Sequence, residues 1–362
     1  MSLKCGIIGL SNSGKTTLFN CVANTKVSNQ QGALKSNIGQ ISVPDSRLKV
    51  LDEIEPSQRI VHATVDLVDI PGLSKGSGQA ESTSSKFLGE IQQTDALIQV
   101  IRCFDSDMVP HSEGSVNPQR DKEIVDLELC IRDLNLVERK MQRLDKLIKV
   151  GDKDAKKALE VMQVYKAHLE DFKPARTAPV SDDDKKYIAD MFLITAKPVI
   201  YVANVDDKSA VTGNAYSEQL KKAVEAENAE MLIIAAALEA EIAELESNED
   251  REVFLADAGL TEPGVNKVVQ AAYKLLNLQS FFTVGVKEIR AWTITKGMTA
   301  PLAAGVIHSD LERGFIRAEV MKYNDYVTLR SEQACKEAGK LAIEGKNYIV
   351  GDGDILNIRF NV

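Results

Sequence analysis

A glycine-rich loop near the start of the chain leaves it few folds. The apolar run at residues 3–8 ends at Gly9, and Gly9-Leu-Ser-Asn-Ser-Gly-Lys-Thr16 follows. This is the spacing G-x-x-x-x-G-K-[ST] between a buried strand and a helix that opens at Thr17-Leu-Phe-Asn-Cys. The residue types follow from the chemistry of a polyphosphate. Gly9 and Gly14 let the backbone wrap closely, so that the N–H groups of Asn12, Ser13, Gly14, Lys15, Thr16 and Thr17 face the anion. Lys15 brings a point charge to the outer phosphates, which makes it a catalytic candidate as well as a binding one. The Thr16 hydroxyl is a Mg²⁺ ligand.

Two further strands end on polar residues where such a fold needs them. Residues 63–69 form an apolar strand closing on Asp69-Ile-Pro-Gly72, with Asp69 the second metal candidate and Gly72 able to turn its N–H to the γ-phosphate. Residues 198–204 form another, closing on Asn204-Val-Asp-Asp207. Guanine-specific relatives of this superfamily carry N-K-x-D here. The Asn buttresses the loop, the Lys stem lies over the base, and the Asp accepts from guanine. In this chain Val205 replaces the Lys, while Asn204 and Asp207 keep their spacing. Residues 231–237 read as a last strand leading into a base-contacting loop at Ala236.

With these motifs placed, the chain resembles the YchF or Obg-like ATPases. The resemblance runs through Lys4-Cys-Gly-Ile-Ile-Gly-Leu10, Asn12 to Thr17, Val43-Pro-Asp-Ser-Arg-Leu48, Asp69-Ile-Pro-Gly-Leu73, Lys86-Phe-Leu-Gly89, Arg102-Cys-Phe104 and Gly151-Asp-Lys-Asp-Ala-Lys156. Its closest part is the C-terminal third: Tyr273 to Gln279, Gly285-Val-Lys-Glu-Ile-Arg-Ala-Trp-Thr293, and the terminal Asn357 to Val362. It implies an α/β fold with three modules. A P-loop domain with a mostly parallel sheet spans 1–110 and 195–278, a helical coiled-coil hairpin is inserted at 111–194, and a TGS (β-grasp) domain occupies 279–362.

The residues read alone fit that layout. Leu127, Ile131, Leu134, Val137, Met141, Leu144 and Ile148 recur at gaps of three and four, an apolar stripe on one long helix. Gly151-Asp-Lys-Asp154 can turn the chain, and 158–169 provides a return helix. Past Phe281, short Val/Ile/Thr-rich runs alternate with Gly-bearing turns, and 301–307 marks the helix of the last domain.

The resemblance also implies Mg²⁺-dependent hydrolysis, with ATP preferred over GTP and slow intrinsic turnover. It further implies association with ribosomes, RNA contact through the TGS domain, and Phe104 near the base. A net charge of -9 argues against free nucleic acid as main partner. The last 84 residues, with 11 Lys+Arg against 10 Asp+Glu, are nearly neutral. No apolar run reaches membrane-spanning length and the start lacks a signal-peptide core, so a cytoplasmic protein is expected; a monomer is expected as well. Five scattered cysteines, with no C-x-x-C, read as free thiols.

The chain departs from the family at the first switch loop, where Ala33 stands at the metal-ligating Thr. Thr25, Ser28, Ser36 or water could take over. After Gly72, where Ras-like enzymes place a water-orienting Gln, the chain has Leu73. In the family a His at the spacing of His111 is proposed to reach the γ-phosphate, and an imidazole can accept from water. A solvent-exposed loop His is the alternative.

Overall fold

The computed structural model describes residues 3–23, 37–71, 88–245 and 247–361. Ala33, Thr25, Ser28, Ser36, Gly72 and Leu73 lie outside them. The chain forms two units, Met1–Gly39 with Asp66–Val268, and Gln40–Val65 with Val269–Val362.

The strands of the first sheet are β1 (Lys4–Ile8), β2 (Asn37–Ser42), β4 (Thr64–Asp69), β5 (Ala96–Arg102), β6 (Val199–Asn204) and β7 (Glu230–Ile234), and β3 (Ile60–Val61) belongs to the second. Their order is β2-β4-β1-β5-β6-β7, and β1 pairs parallel with β4 and β5, as β6 does with β5 and β7. Every residue of β5 and β6 is buried, which is why neither alternates and both are mostly apolar, with Gln99 inside β5 and Arg102 and Asn204 at the ends. The chain leaves β1 for β4 on one side and returns to β5 on the other. The crevice beyond the strand ends at such a reversal is where open α/β sheets bind ligands.

Helix α1 (Lys15–Ala23) opens directly after the glycine loop, and α2 (Arg47–Ile54) lies in the second unit. The insertion consists of α3 (Pro118–Lys149) and α4 (Lys153–Glu170). Asn117 caps α3 by accepting from Arg120 N, with Pro118 just inside, and Asp152 caps α4. The apolar stripe differs from expectation at its start, since Leu127 and Ile131 are 37% and 45% exposed. Near its base α3 turns Val125 and Leu129 to the sheet core. Farther out, Val137 and Leu144 are buried against Ala158, Val161, Met162 and Tyr165, with Leu134, Met141 and Ile148 alongside. A helix that serves two neighbours in succession rotates its buried face between them.

Polar groups fix that base. Lys122 Nζ lies 2.5 Å from both Asp126 and Glu227, and Arg176 and the Tyr201 hydroxyl complete the pairing of Glu227. Asp133 accepts from Ile194 N, Thr195 N and Thr195 Oγ1. Buried charges persist only when paired this fully. Helices α5 (Ala215–Glu225), α6 (Ala236–Glu244) and α7 (Asn248–Asp257) complete this unit, and α8 (Gly264–Leu275) leads out of it.

The second unit has β8 (Leu278–Thr283), β9 (Ile289–Thr295), β10 (Phe315–Lys322), β11 (Leu341–Glu344) and β12 (Asp354–Phe360), in the order β11-β10-β12-β8-β9-β3. Antiparallel pairs β8/β9 and β10/β12 are joined by a parallel β12/β8 contact, and α9 (Ala300–Ile307) packs Ala300, Ala303 and Ala304 with Phe281, Phe315 and Leu356. The sheet of this unit is thus mixed, with α9 packed on its core. The stretch Gln40–Val65 folds with this unit. Its strand β3 pairs parallel with β9, Arg59 binds Glu288, and Arg47 is held by Asp45 and Asp352 over the Phe282 ring.

Candidate functional site

The carboxyl ends of β1, β4, β5 and β6 bring the candidates together. Gly9 has φ +150°, and a β-carbon there would meet Val100 O at 2.3 Å. Asn12 has φ +62° and donates through Nδ2 to Pro110 O, which ties the phosphate loop to the loop carrying His111. Ser13 is buried with its hydroxyl unpartnered, and Thr17 lies half-buried in the first turn of α1.

Lys15 is buried and its Nζ donates to Leu10 O at 2.6 Å. Burial lowers its pKa to about 8, with Asp69 opposing. A buried ammonium in the first turn of a helix that follows a glycine loop is a site made for an anion. Thr16 Oγ1 donates to Asp69 Oδ2 at 3.0 Å, and the buried Oδ1 of Asp69 has no partner. Burial raises the Asp69 carboxyl, against the Thr16 bond and the Lys15 charge. A lone buried carboxylate oxygen beside a hydroxyl fits Mg²⁺, which takes its remaining ligands from phosphate and water. Among the described residues no cluster of three His, Cys, Asp or Glu could form an all-protein cage.

Asn204 commits both ends of its amide to backbone. Nδ2 donates to Ser13 O at 2.9 Å, and Oδ1 accepts from Ala236 N at 3.0 Å. It therefore braces the phosphate loop against the start of α6. Val205 is 2% exposed, part of the sheet core, and its N–H donates to Ile234 O. Asp206 caps the short turn after it, and Asp207 is exposed. Gly72 lies outside the described residues.

Arg102, which nothing in the sequence marks beyond its place at the end of an apolar strand, organises the loop after β5. Its guanidinium donates to the carbonyls of Phe104, Ser106 and Val109 and stacks 4.5 Å from the Phe104 ring. Burial lowers its pKa, with Asp105 and Asp121 opposing. His111 is not a solvent-exposed loop residue, for its side chain is 7% exposed. Its Nε2 lies 2.8 Å from Asp121 Oδ2, and its Nδ1 accepts from Glu113 N at 3.0 Å. An acceptor at Nδ1 puts the proton on Nε2, donated to Asp121. The ring borders a cavity of about one water molecule, shared with Ser13, Arg102 and Asp121. Asp121 had no signal in the sequence beyond its place after Asn117-Pro118.

Comparison with known proteins follows the same lines. Residues 4–204 match the family model MMR_HSR1, described as a 50S ribosome-binding GTPase. Residues 278–361 match YchF-GTPase_C, described as a protein of unknown function (DUF933). The chain is 45% identical to the ribosome-binding ATPase YchF of Haemophilus ducreyi and 41% identical to that of Bacillus subtilis, over 100% of both chains in each case. It is similar to the solved Schizosaccharomyces pombe YchF GTPase, with TM-score 0.86 and 31% identity over 99% of this chain and 98% of that one.

Proposed function

This chain belongs to the YchF family, and from that premise we propose that it is a slow, Mg²⁺-dependent ATPase that works on the ribosome as a nucleotide-dependent switch. The names of its bacterial relatives support the ribosomal association. ATP is preferred over GTP. The observation that carries this preference is Val205, buried where guanine-specific enzymes set a Lys stem over the base. A site lacking that contact loses much of its hold on guanine. The exposed Asp207 pulls the other way, since a carboxylate accepts from guanine.

In this reading the N–H groups of Asn12 to Thr17 and the Lys15 ammonium bind the phosphates. Thr16 and Asp69 would hold Mg²⁺, which when bound neutralises charge across the outer phosphates. Asn204 holds the phosphate loop to Ala236, and Phe104, stacked under Arg102, lies on the base side. His111 orients the attacking water in place of the Gln that Leu73 displaces. The protein acts as a monomer, with RNA contact through its C-terminal β-grasp.

Competition of unlabelled ATP and GTP against labelled ATP tests the base preference, and tighter displacement by GTP makes the protein a GTP-specific switch. Single-turnover hydrolysis with Mg²⁺ separates both from a scaffold without turnover, the outcome Ala33 favours. His111→Ala should lower kcat well over tenfold and leave affinity nearly unchanged. Lys15→Ala should weaken binding itself. Co-sedimentation with ribosomal subunits in ATP and in ADP tests the partner.

A further inference from the structure

We propose that Asp121 is a positioning residue for hydrolysis, holding His111 in the one tautomer that keeps Nδ1 an acceptor for the attacking water. The inference rests on the catalytic reading of His111. Two bonds hold the ring, and they differ in kind. Glu113 N–H to Nδ1 is a local bond spanning two residues, which a water can replace at small net cost. Nε2–H to Asp121 Oδ2 is a bond to a carboxylate whose side chain is 4% exposed, and it is the stronger of the two. Releasing the first while keeping the second turns the ring into a base oriented by a carboxylate.

Arg120 makes the orientation one-sided. Its Nε and Nη2 both donate to Asp121 Oδ1, at 3.1 and 2.8 Å, and its other contacts go to Ser115. Asp121 therefore spends Oδ1 on Arg120 and has Oδ2 for the ring. Its backbone is fixed as well, because Asp121 lies in the capped first turn of α3 and its N–H donates to Asn117 O.

This gives a specific consequence for D121N, which keeps size and shape. A guanidinium only donates, so the amide oxygen must face Arg120 and the NH₂ must face Nε2. The ring is then driven to carry its proton on Nδ1, where it can no longer accept from water. Single-turnover ATP hydrolysis by D121N should fall on the order of 10²-fold, with ATP affinity within about twofold of the parent. Long-range ¹H–¹⁵N correlation spectra should show the His111 proton moved from Nε2 to Nδ1. In R120M/D121N the amide is free to turn over, and both the Nε2–H tautomer and most of the rate should return. Loss of hydrolysis in D121N with the tautomer unchanged, or no recovery in the double variant, would leave Asp121 a packing residue and overturn the proposal. Full hydrolysis by H111A in the same assay would overturn the reading of His111 itself, a distinguishable result.

Discussion

Gly14 and Asn204 lie so close that a β-carbon on Gly14 would sit 2.1 Å from Asn204 Nδ2. The second glycine of the loop is thus required by a strand end 190 positions away as much as by the phosphate, for it clears the path of the amide to Ser13 O. Asn204→Ala should strand Ser13 O and Ala236 N, both buried behind the loop. The expected loss is about 1–3 kcal/mol of nucleotide binding, read by titration with a fluorescent nucleotide. Unchanged affinity would show the brace to be dispensable.

Lys15 sets a pH limit on nucleotide binding. Burial lowers its pKa to about 8 in the free protein, whereas a bound phosphate needs it charged. The unfolded chain therefore binds more protons than the folded one between that value and the ordinary lysine range, and folding stability rises with pH across the window. Affinity moves the opposite way, flat below pH 7 and about tenfold weaker by pH 9. The Lys15→Met variant should bind weakly at every pH without that slope.

Asp69 should make binding metal-sensitive. Its unpartnered Oδ1 is the reason, since Oδ2 is already engaged by Thr16. Chelation of Mg²⁺ should weaken ATP binding by the parent protein. Asp69→Asn should show a clearly smaller difference between the two conditions, because the amide still accepts from Thr16 but offers the cation no charge. Calorimetric titrations in Mg²⁺ and in EDTA read the difference.

Lys122→Met should destabilise the fold by about 3–5 kcal/mol, seen as a lower urea midpoint. It leaves Asp126 buried without its cation, while Glu227 keeps Arg176 and Tyr201. A midpoint shift near zero would mean that the network contributes little beyond packing.

What the sequence made legible was local. The phosphate loop announces itself because one spacing carries strand, turn, anion site and helix start together, and Asp69 and Asn204 mark where apolar strands stop. What escaped was set by contacts between distant positions or by a change of neighbour. Asp121 is ten residues from His111 and meets it only because the intervening loop doubles back. The carbonyls gathered by Arg102 have no side-chain signature. Leu127 and Ile131 fit a perfect stripe, yet the packed face of α3 has already rotated away from them. Asn204 reads as a buttress of the loop, but the two atoms it joins, Ser13 O and Ala236 N, are backbone and carry no side-chain signature. Strand β3 has two residues, too few for any alternation to show.

That short strand has a consequence for how the protein is made. Gln40–Val65 belongs with residues translated last, and Arg59 must wait for Glu288, 229 positions downstream. At about 5–20 residues per second the delay is roughly 10–45 s, during which Ile60 and Val61 have no strand to join. Met1–Gly39 and Asp66–Val268 can meanwhile assemble around this excursion. A nascent chain halted after Val268 should therefore be cut by added protease within 40–65 first. No single break in the gene can separate the two units, because each is interrupted by, or completed from, the other side of that loop.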